Sequence, residues 1–282
     1  MSAPAWSALL RDAAARLTAV GIDSPRVDAE LLLAHVLGLD RGALLARVFA
    51  GAVAEPAQAA AFEALVGRRA AREPVQHLTG VAHFHGLDLA VGPGVFIPRP
   101  ETELLVETVV ADLAARPAAG VVVDLCTGSG AIAAAVAAWG EARGRALAVT
   151  AVELDPAAAD WARRNLAPRG VDLRQGDALV ACPDLEGRVD VVVSNPPYVP
   201  EAEVPVQPEA RLDPARSTAG TRPGCGSRGP SRTGRRACSP RAACSPWSTT
   251  RRRARPSWPP SVRTPGSRAS ESTRTSPDGT GS

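Results

Sequence analysis

The sequence of 282 residues predicts an α/β protein in which a small helical domain precedes a doubly wound parallel sheet. Three observations support this prediction. Residues 1–72 carry only helical periodicity, residues 75–98 carry closely spaced glycines, and the chain after Pro100 alternates apolar, strand-like runs with helical patterns. A chain of this length, of which 45% is hydrophobic, can bury a sizeable core.

Two helices of the first region are marked by apolar residues at helical spacing. The two sets are Trp6, Leu9, Leu10, Ala13 and Leu17, followed by Val27, Leu31, Ala34 and Leu37. Ser24-Pro25 is a helix-start pattern before the second set, and Gly38 ends that helix. A further helix is expected from Pro56 to Glu73-Pro74, so this region predicts a small helical bundle.

Residues 75–98 predict a β-hairpin that connects two domains, because glycines separate short stretches such as Leu87-Asp88-Leu89. Strands are then expected, in chain order, at Val121–Leu125, at Leu147–Val152, immediately before Gly176, and at Val189–Ser194. The helices between them are expected at Glu101–Leu113, Ala131–Trp139 and Pro156–Leu166. Apolar strands separated by helices indicate a parallel sheet that is covered on both faces.

Charge and cysteine content exclude several classes of protein. Five cysteines without a pairing pattern indicate no disulfide framework, and we expect neither a signal peptide nor a membrane span, hence a soluble cytoplasmic protein. Residues 221–282 hold 13 arginines against Glu271 and Asp278, a net charge of +11, which leaves −8 for residues 1–220. An acidic body argues against direct nucleic-acid binding, which needs clustered cations.

A turn of small residues follows the first strand of the predicted sheet and opens a helix, which allows a ligand to approach the backbone closely. It consists of Cys126, Thr127, Gly128, Ser129 and Gly130. Glu153 ends the second strand, where an acid in such a sheet binds ribose hydroxyls. Asp177 and Ala178 follow the third strand, where an adenine ring would lie. Together these residues favour a nucleoside cofactor over a plain strand-to-helix turn.

The most specific pattern is Asn195-Pro196-Pro197-Tyr198, directly after the fourth predicted strand. Two consecutive prolines fix the backbone and remove two amide donors, so the carbonyl groups there can accept from a ligand. The tetrapeptide resembles the signature of S-adenosylmethionine-dependent methyltransferases that methylate planar nitrogens. This resemblance implies that Asn195 and Pro196 accept hydrogen bonds from a substrate NH2 group and that Tyr198 packs against its plane. We expect no metal and no covalent intermediate.

Two further segments, Glu73–Gly80 and Phe96–Val106, closely resemble the peptide chain release factor N(5)-glutamine methyltransferases, the HemK-like family. The similarity covers about residues 1–216. It implies a Rossmann-like class I methyltransferase domain, S-adenosylmethionine as cofactor, and the glutamine of the release factor's Gly-Gly-Gln loop as substrate. It also implies three parts: a helical substrate-recognition domain at 1–74, the hairpin connector at 75–98, and a methyltransferase domain at 99–216 that is truncated. Residues 217–282 are expected to form an aberrant, disordered tail, because their composition departs from the family.

Other substrates fit the tetrapeptide as well. Glutamine methylation of a ribosomal protein is one alternative, and adenine-N6 methylation of RNA or DNA is another. A non-enzymatic alternative is a cofactor-binding protein whose broken carboxyl half has been retained as a binding module. We expect the release factor methyltransferase to be a monomer.

The tail departs from the family in its composition, because Val262 is the only residue of 221–282 from the Ile, Leu, Val, Met, Phe and Tyr set. Such a segment cannot build a core. Our hypothesis is that residues from about Ser217 onward are translated out of frame. With G or C at third codon positions, the neighbouring frame can encode peptides such as Ala-Leu-Asp-Gly-Gly that resemble the family's missing strands. We expect this product to fold poorly and to have little or no activity.

Overall fold

The computed structural model of the protein describes residues 4–116, 120–196, 199–200 and 218–219. Of the predicted tail (217–282), only Thr218–Ala219 is described, and Ser217 and residues 220–282 lie outside the described residues. Among the described residues, no helix has the length and apolar character needed to cross a membrane.

The amino-terminal region is helical, as predicted. Its four longer helices are α1 (Trp6–Ala19), α2 (Pro25–Leu37), α3 (Arg41–Phe49) and α4 (Pro56–Ala70). The α3 helix was not predicted, although its start carries a recognisable cap, because the Asp40 side chain accepts from the Ala43 amide at 2.8 Å. Around these helices, a cluster of buried residues that includes Trp6, Leu10 and Phe62 forms the core of this region.

The predicted apolar face of α2 is only partly correct. Val27 is 38% exposed, whereas Ala29, Leu32 and Leu33 are fully buried. The helix is in contact with α1, α3 and α4 at once, so its buried surface is wider than one stripe of a helix. That surface includes two acids, of which Asp28 accepts from Arg69 at 2.7 Å.

A short helix and a hairpin follow the bundle. Residues Val75–Thr79 form α5, so the prediction that the hairpin begins at residue 75 is wrong. The hairpin itself consists of β1 (Val81–Phe84) and β2 (Leu87–Ala90), paired antiparallel. Its two turn residues, His85 and Gly86, have φ of 48° and 76°, as a type I′ turn requires.

The remaining elements form the predicted parallel sheet. The strands β3 (Gly120–Leu125), β4 (Leu147–Glu153), β5 (Asp172–Gln175) and β6 (Val191–Ser194) lie in the order β5-β4-β3-β6. The helices are α6 (Glu103–Ala114), α7 (Ala131–Glu141) and α8 (Pro156–Leu166). Successive strands extend the sheet in one direction from β3 to β5, and β6 then adds on the other side of β3. The strand order therefore reverses between β3 and β6, and such a reversal creates a crevice at the carboxyl ends of these strands.

Two short strands follow, β7 (Val199–Pro200) and β8 (Thr218–Ala219), which pair in parallel.

Candidate active site

The predicted site segments meet at the carboxyl edge of the sheet. Leu125 at the end of β3 is paired with Val152 of β4 on one side and with Ser194 of β6 on the other. Gln175 of β5 is in turn paired with Glu153. Because neighbouring strands lie about 4.8 Å apart, the row from the end of β5 to the end of β6 is about 15 Å wide. The sheet thus brings Asp177, Glu153, the turn 126–130 and Asn195 to one edge.

The turn after β3 has a backbone that favours glycine at three positions. Cys126, Gly128 and Gly130 have φ of 60°, 59° and 83°. A Cβ on Gly130 would lie 2.9 Å from Cγ of Leu166, whereas a Cβ on Gly128 would meet nothing within 4 Å. Gly130 therefore allows α8 to pack closely, and Gly128 faces open space. Cys126 adopts a left-handed conformation that costs an ordinary residue about 1 kcal/mol.

Asp124 is the penultimate residue of β3, and its side chain binds the turn and the start of α7. It was not predicted as a site residue. It is fully buried, and its Oδ2 accepts from the Thr127 hydroxyl at 2.5 Å and from the Ala133 amide at 3.2 Å. Its Oδ1 has no hydrogen-bond partner among the described residues. Loss of hydration on burial raises the pKa of Asp124 to about 7, although these two hydrogen bonds oppose the shift.

Glu153 connects the turn to the neighbouring strand. Its Oε2 accepts from the Gly128 amide at 2.8 Å, and its Oε1 accepts from the Asp155 amide at 2.9 Å. Burial raises the pKa of the Glu153 carboxyl, and hydrogen bonds from backbone amides act against that rise. Each carboxylate oxygen can accept more than one hydrogen bond, so Glu153 can accept from ligand hydroxyls while it holds the turn. Asp155 caps α8 by accepting from the Ala157 amide at 2.8 Å.

The loops that follow β4 and β5 carry exposed apolar side chains. Leu154, Leu179 and Val180 are 53%, 76% and 72% exposed. The backbone of the second loop is ordered by Asp177, whose Oδ1 accepts from the Leu179 amide at 2.9 Å. Ala178 lies between these two residues. Apolar side chains in this position can pack against a planar ring.

Asn195 follows β6 on the other side of the crevice. Ser194 immediately before it donates its hydroxyl to the Leu125 carbonyl at 2.8 Å, which ties the end of β6 to β3. The Asn195 side-chain Nδ2 donates to Thr102 Oγ1 at 3.4 Å, so its amino group is engaged and its Oδ1 is the acceptor that remains. Pro196 is half-buried. The predicted residues Pro197 and Tyr198 lie outside the described residues.

Histidines of the hairpin form pairs with carboxylates rather than a metal site. His83 contacts Asp88, and His85 Nε2 lies 2.7 Å from Glu107 Oε1. Within the described ranges, no cluster of three or more His, Cys, Asp or Glu side chains could hold a metal ion.

Comparison with known proteins agrees with this geometry. Two family models match the chain: the PrmC N-terminal domain over residues 8–80 and the methyltransferase small domain over residues 77–211. The release factor glutamine methyltransferase of Streptomyces coelicolor is 51% identical over 198 residues, 70% of this chain and 67% of that protein. The protein of the same name from Mycolicibacterium smegmatis is 51% identical over 211 residues, 74% of this chain and 71% of that protein.

The same named enzyme of Corynebacterium glutamicum is 46% identical over 213 residues, 73% of this chain and 71% of that protein. The chain belongs to the release factor glutamine methyltransferase family. The resemblance stated from the sequence is thereby confirmed. The second family model reaches residue 211 of this family member, close to the position at which the predicted out-of-frame tail begins.

Proposed function

We propose that the chain transfers a methyl group from S-adenosylmethionine to the side-chain amide nitrogen of the glutamine in the Gly-Gly-Gln loop of a peptide chain release factor. The observation that carries this proposal is the placement of Asn195 beside the turn 126–130, across the crevice between β3 and β6. One side of the crevice suits a nucleoside cofactor, and the other presents a fixed acceptor for an amino group. Membership of the family supports the same reaction.

The described residues fit S-adenosylmethionine in three ways. Gly128 leaves open space beside the turn, Glu153 has acceptor capacity for ribose hydroxyls, and the exposed side chains of Leu179 and Val180 can cover an adenine ring. We infer that the turn residues Cys126 to Gly130, Glu153, Asp177, Ala178 and Asn195 line the cofactor site. When bound, the cofactor supplies a methyl group on a positively charged sulfur.

The substrate side must compensate for a poor nucleophile, because the lone pair of an amide nitrogen is delocalised into the carbonyl group. We propose that Asn195 Oδ1 and the Pro196 carbonyl each accept a hydrogen bond from the side-chain NH2 group of the glutamine. Tyr198 would pack against the plane of that amide. The long contact of 3.4 Å from Asn195 Nδ2 to Thr102 Oγ1 leaves Asn195 Oδ1 available to accept from the substrate. Holding the nitrogen in line with the methyl group makes the bimolecular step effectively unimolecular. The N–C bond would form as the sulfur–carbon bond breaks, the sulfur would leave as a neutral thioether, and the nitrogen would release one proton to solvent. Pro197 keeps this backbone rigid.

The protein substrate is supported by the relatives and by charge. The relatives are named for release factors, and residues 1–220 carry a net charge of −8, which disfavours RNA or DNA as a substrate. We propose that the helical domain (1–74) and the connector (75–98) hold the release factor next to the methyltransferase domain (99–216). A monomeric enzyme in the cytoplasm suits this substrate, because release factors act there on the ribosome.

The proposal is tested by mass spectrometry after S-adenosylmethionine and a purified release factor are incubated with a protein in which residues 217–282 are replaced by the translation of the neighbouring reading frame, because the chain with its present tail is expected to have little or no activity. The expected product is one methyl group on the glutamine of the Gly-Gly-Gln peptide, absent when that glutamine is replaced by alanine. Asn195→Ala should abolish methylation and should weaken cofactor binding only in part, because the turn 126–130 and Glu153 still hold the cofactor. Methylation of a ribosomal protein or of an adenine in preference to the release factor would contradict the proposed substrate.

The tail is tested separately, because an inactive chain could reflect the tail rather than a wrong substrate. We propose that the segment 217–282 is an out-of-frame translation. The nucleotide sequence should show that the neighbouring frame is open across this segment. A second protein with that frame restored should be active on the release factor. If the neighbouring frame is interrupted by stop codons, the out-of-frame hypothesis is wrong.

A further inference from the structure

The side chain of Asn165 in α8 contacts two segments that are distant in the sequence. Its Oδ1 accepts from the Ala90 amide at 2.8 Å, and its Nδ2 donates to the Ala90 carbonyl at 2.9 Å. The same Nδ2 also donates to the Ser129 carbonyl at 2.8 Å. Ala90 is the last residue of the hairpin, and Ser129 lies in the turn after β3. One half-buried amide therefore binds both the connector and the candidate cofactor turn.

The pairing with Ala90 has the form of a strand contact. Both backbone groups of Ala90 are bonded to Asn165, so the side-chain amide takes the place that a neighbouring strand would occupy beside β2. Only an amide side chain can accept from an N–H group and donate to two carbonyl groups at once. An aspartate would keep the acceptor, lose both donors and place a negative charge near two carbonyl oxygens.

The rest of α8 runs along the same two segments. Trp161, one turn before Asn165, donates from its ring nitrogen to the Pro93 carbonyl at 3.2 Å. A Cβ on Gly92 would lie 2.5 Å from the Trp161 ring, so glycine is needed for this approach. On the other side of Asn165, Leu166 packs against Gly130. The helix therefore contacts the residues after the hairpin with its middle and the turn with its end.

We propose that Asn165 is a positioning residue that couples the hairpin connector to the cofactor turn. This inference rests on the proposed function, in which the turn holds the cofactor and the connector helps to hold the protein substrate. Through the shared amide, ordering of the turn by a bound cofactor also orders the end of the hairpin. One side chain that contacts neither ligand thereby sets the position of the methyl donor relative to the glutamine.

The first test is amide hydrogen exchange on the full chain without ligand. Asn165→Ala should raise exchange at least tenfold in peptides covering 87–92 and 126–131 together, with β4 (147–152) unchanged. Asn165→Leu keeps a similar side-chain volume and removes the acceptor and both donors, so it should give the same pattern, and it carries the test if the alanine variant does not fold. Arg163→Ala is the matched control, because Arg163 is an exposed residue of α8 that pairs with Asp160. Faster exchange in only one of the two segments, or throughout the sheet, would overturn the proposal.

The second test adds S-adenosylhomocysteine, the product form of the cofactor. In the parent chain, the ligand should slow exchange in both 126–131 and 87–92. In Asn165→Ala, protection should remain at the turn and disappear from the hairpin. A merely structural role would lower the melting temperature without separating the two responses. If the ligand still protects the hairpin in the variant, the proposed coupling is wrong. If the parent chain does not bind the ligand, the proposed cofactor site is wrong, and the ligand-free test alone decides the role of Asn165.

Discussion

Replacement of Asp124 by asparagine should change how the stability of the protein depends on pH. The folded state raises the pKa of Asp124 from 3.8 to about 7, so the folded chain binds more protons than the unfolded chain between these values. The free energy of unfolding therefore falls as pH rises through this window. The favourable contribution of the neutral carboxyl is fully present below about pH 4 and is lost as pH approaches and passes 7.

The size of the effect follows from the two pKa values. Linkage between them gives a loss of about 2–3 kcal/mol in the free energy of unfolding between pH 5 and pH 8. The side-chain amide introduced by Asp124→Asn does not titrate, so this loss should be absent. The free energy of unfolding of the variant, relative to that of the parent, should therefore rise by about 2–3 kcal/mol from pH 5 to pH 8. The variant can still accept from Thr127 and Ala133 through its side-chain oxygen.

Urea unfolding of both proteins at pH 5, 6, 7 and 8 measures this difference, with unchanged m-values as the condition for comparing them. Asp160→Asn is a suitable control, because Asp160 is an exposed carboxylate paired with Arg163 on the surface of α8. It controls for the effect of replacing a carboxyl by an amide on this helical surface. A difference between Asp124→Asn and the parent that stays constant with pH would refute the reasoning, since it would mean that Asp124 is ionised in the folded protein throughout this range.

Three further predictions concern the turn and its contacts. Cys126→Gly should leave the free energy of unfolding unchanged or raise it by up to about 1 kcal/mol, because glycine adopts the left-handed backbone without strain. Cys126→Val should lower the melting temperature, because a β-branched residue resists that backbone. The opposite order of stability would show that φ at this position is not strained. Gly130→Ala should lower the free energy of unfolding in urea by at least about 2 kcal/mol, since the added Cβ meets Leu166. Gly128→Ala should lower it by about 1 kcal/mol, since only the left-handed backbone opposes the substitution. Equal losses in the two variants would refute the close packing of Gly130 against Leu166. Glu153→Gln should weaken S-adenosylhomocysteine binding at least tenfold in calorimetry, because it replaces an acceptor by a donor, and an unchanged affinity would exclude Glu153 from ribose binding.

The elements of the sheet could be predicted from the sequence because buried parallel strands are continuous apolar runs. The strands at Val121–Leu125 and Leu147–Val152 are predictable almost to the residue for this reason. The face of α2 could not be predicted in the same way. Several helices surround it, and acids such as Asp28 are buried there because arginines from other helices reach them.

The site shows the same division between local and distant determinants. The turn 126–130 and Glu153 are recognisable because each lies at the end of a strand and has a local role. Asp124 has a similar position in sequence, but an acid inside an apolar strand gives no local sign of which groups it binds. The contacts of Asn165 lie 36 and 75 residues away, so they are visible only once α8 is packed against the hairpin and the turn.

The position of Asn195 depends on fewer contacts than the cofactor side of the crevice. The turn and Glu153 lie at the ends of β3 and β4, each of which pairs with strands on both sides. By contrast, β6 has four residues and, within the described part of the chain, pairs with β3 alone. Asn195 is held there by the Ser194 contact with Leu125 and by Thr102. If the out-of-frame tail removes strands that would cover the outer side of β6, the acceptor loses support before the cofactor turn does. The chain should then retain measurable cofactor binding while methylation fails, and the frame-restored protein should recover methylation with a smaller change in cofactor affinity.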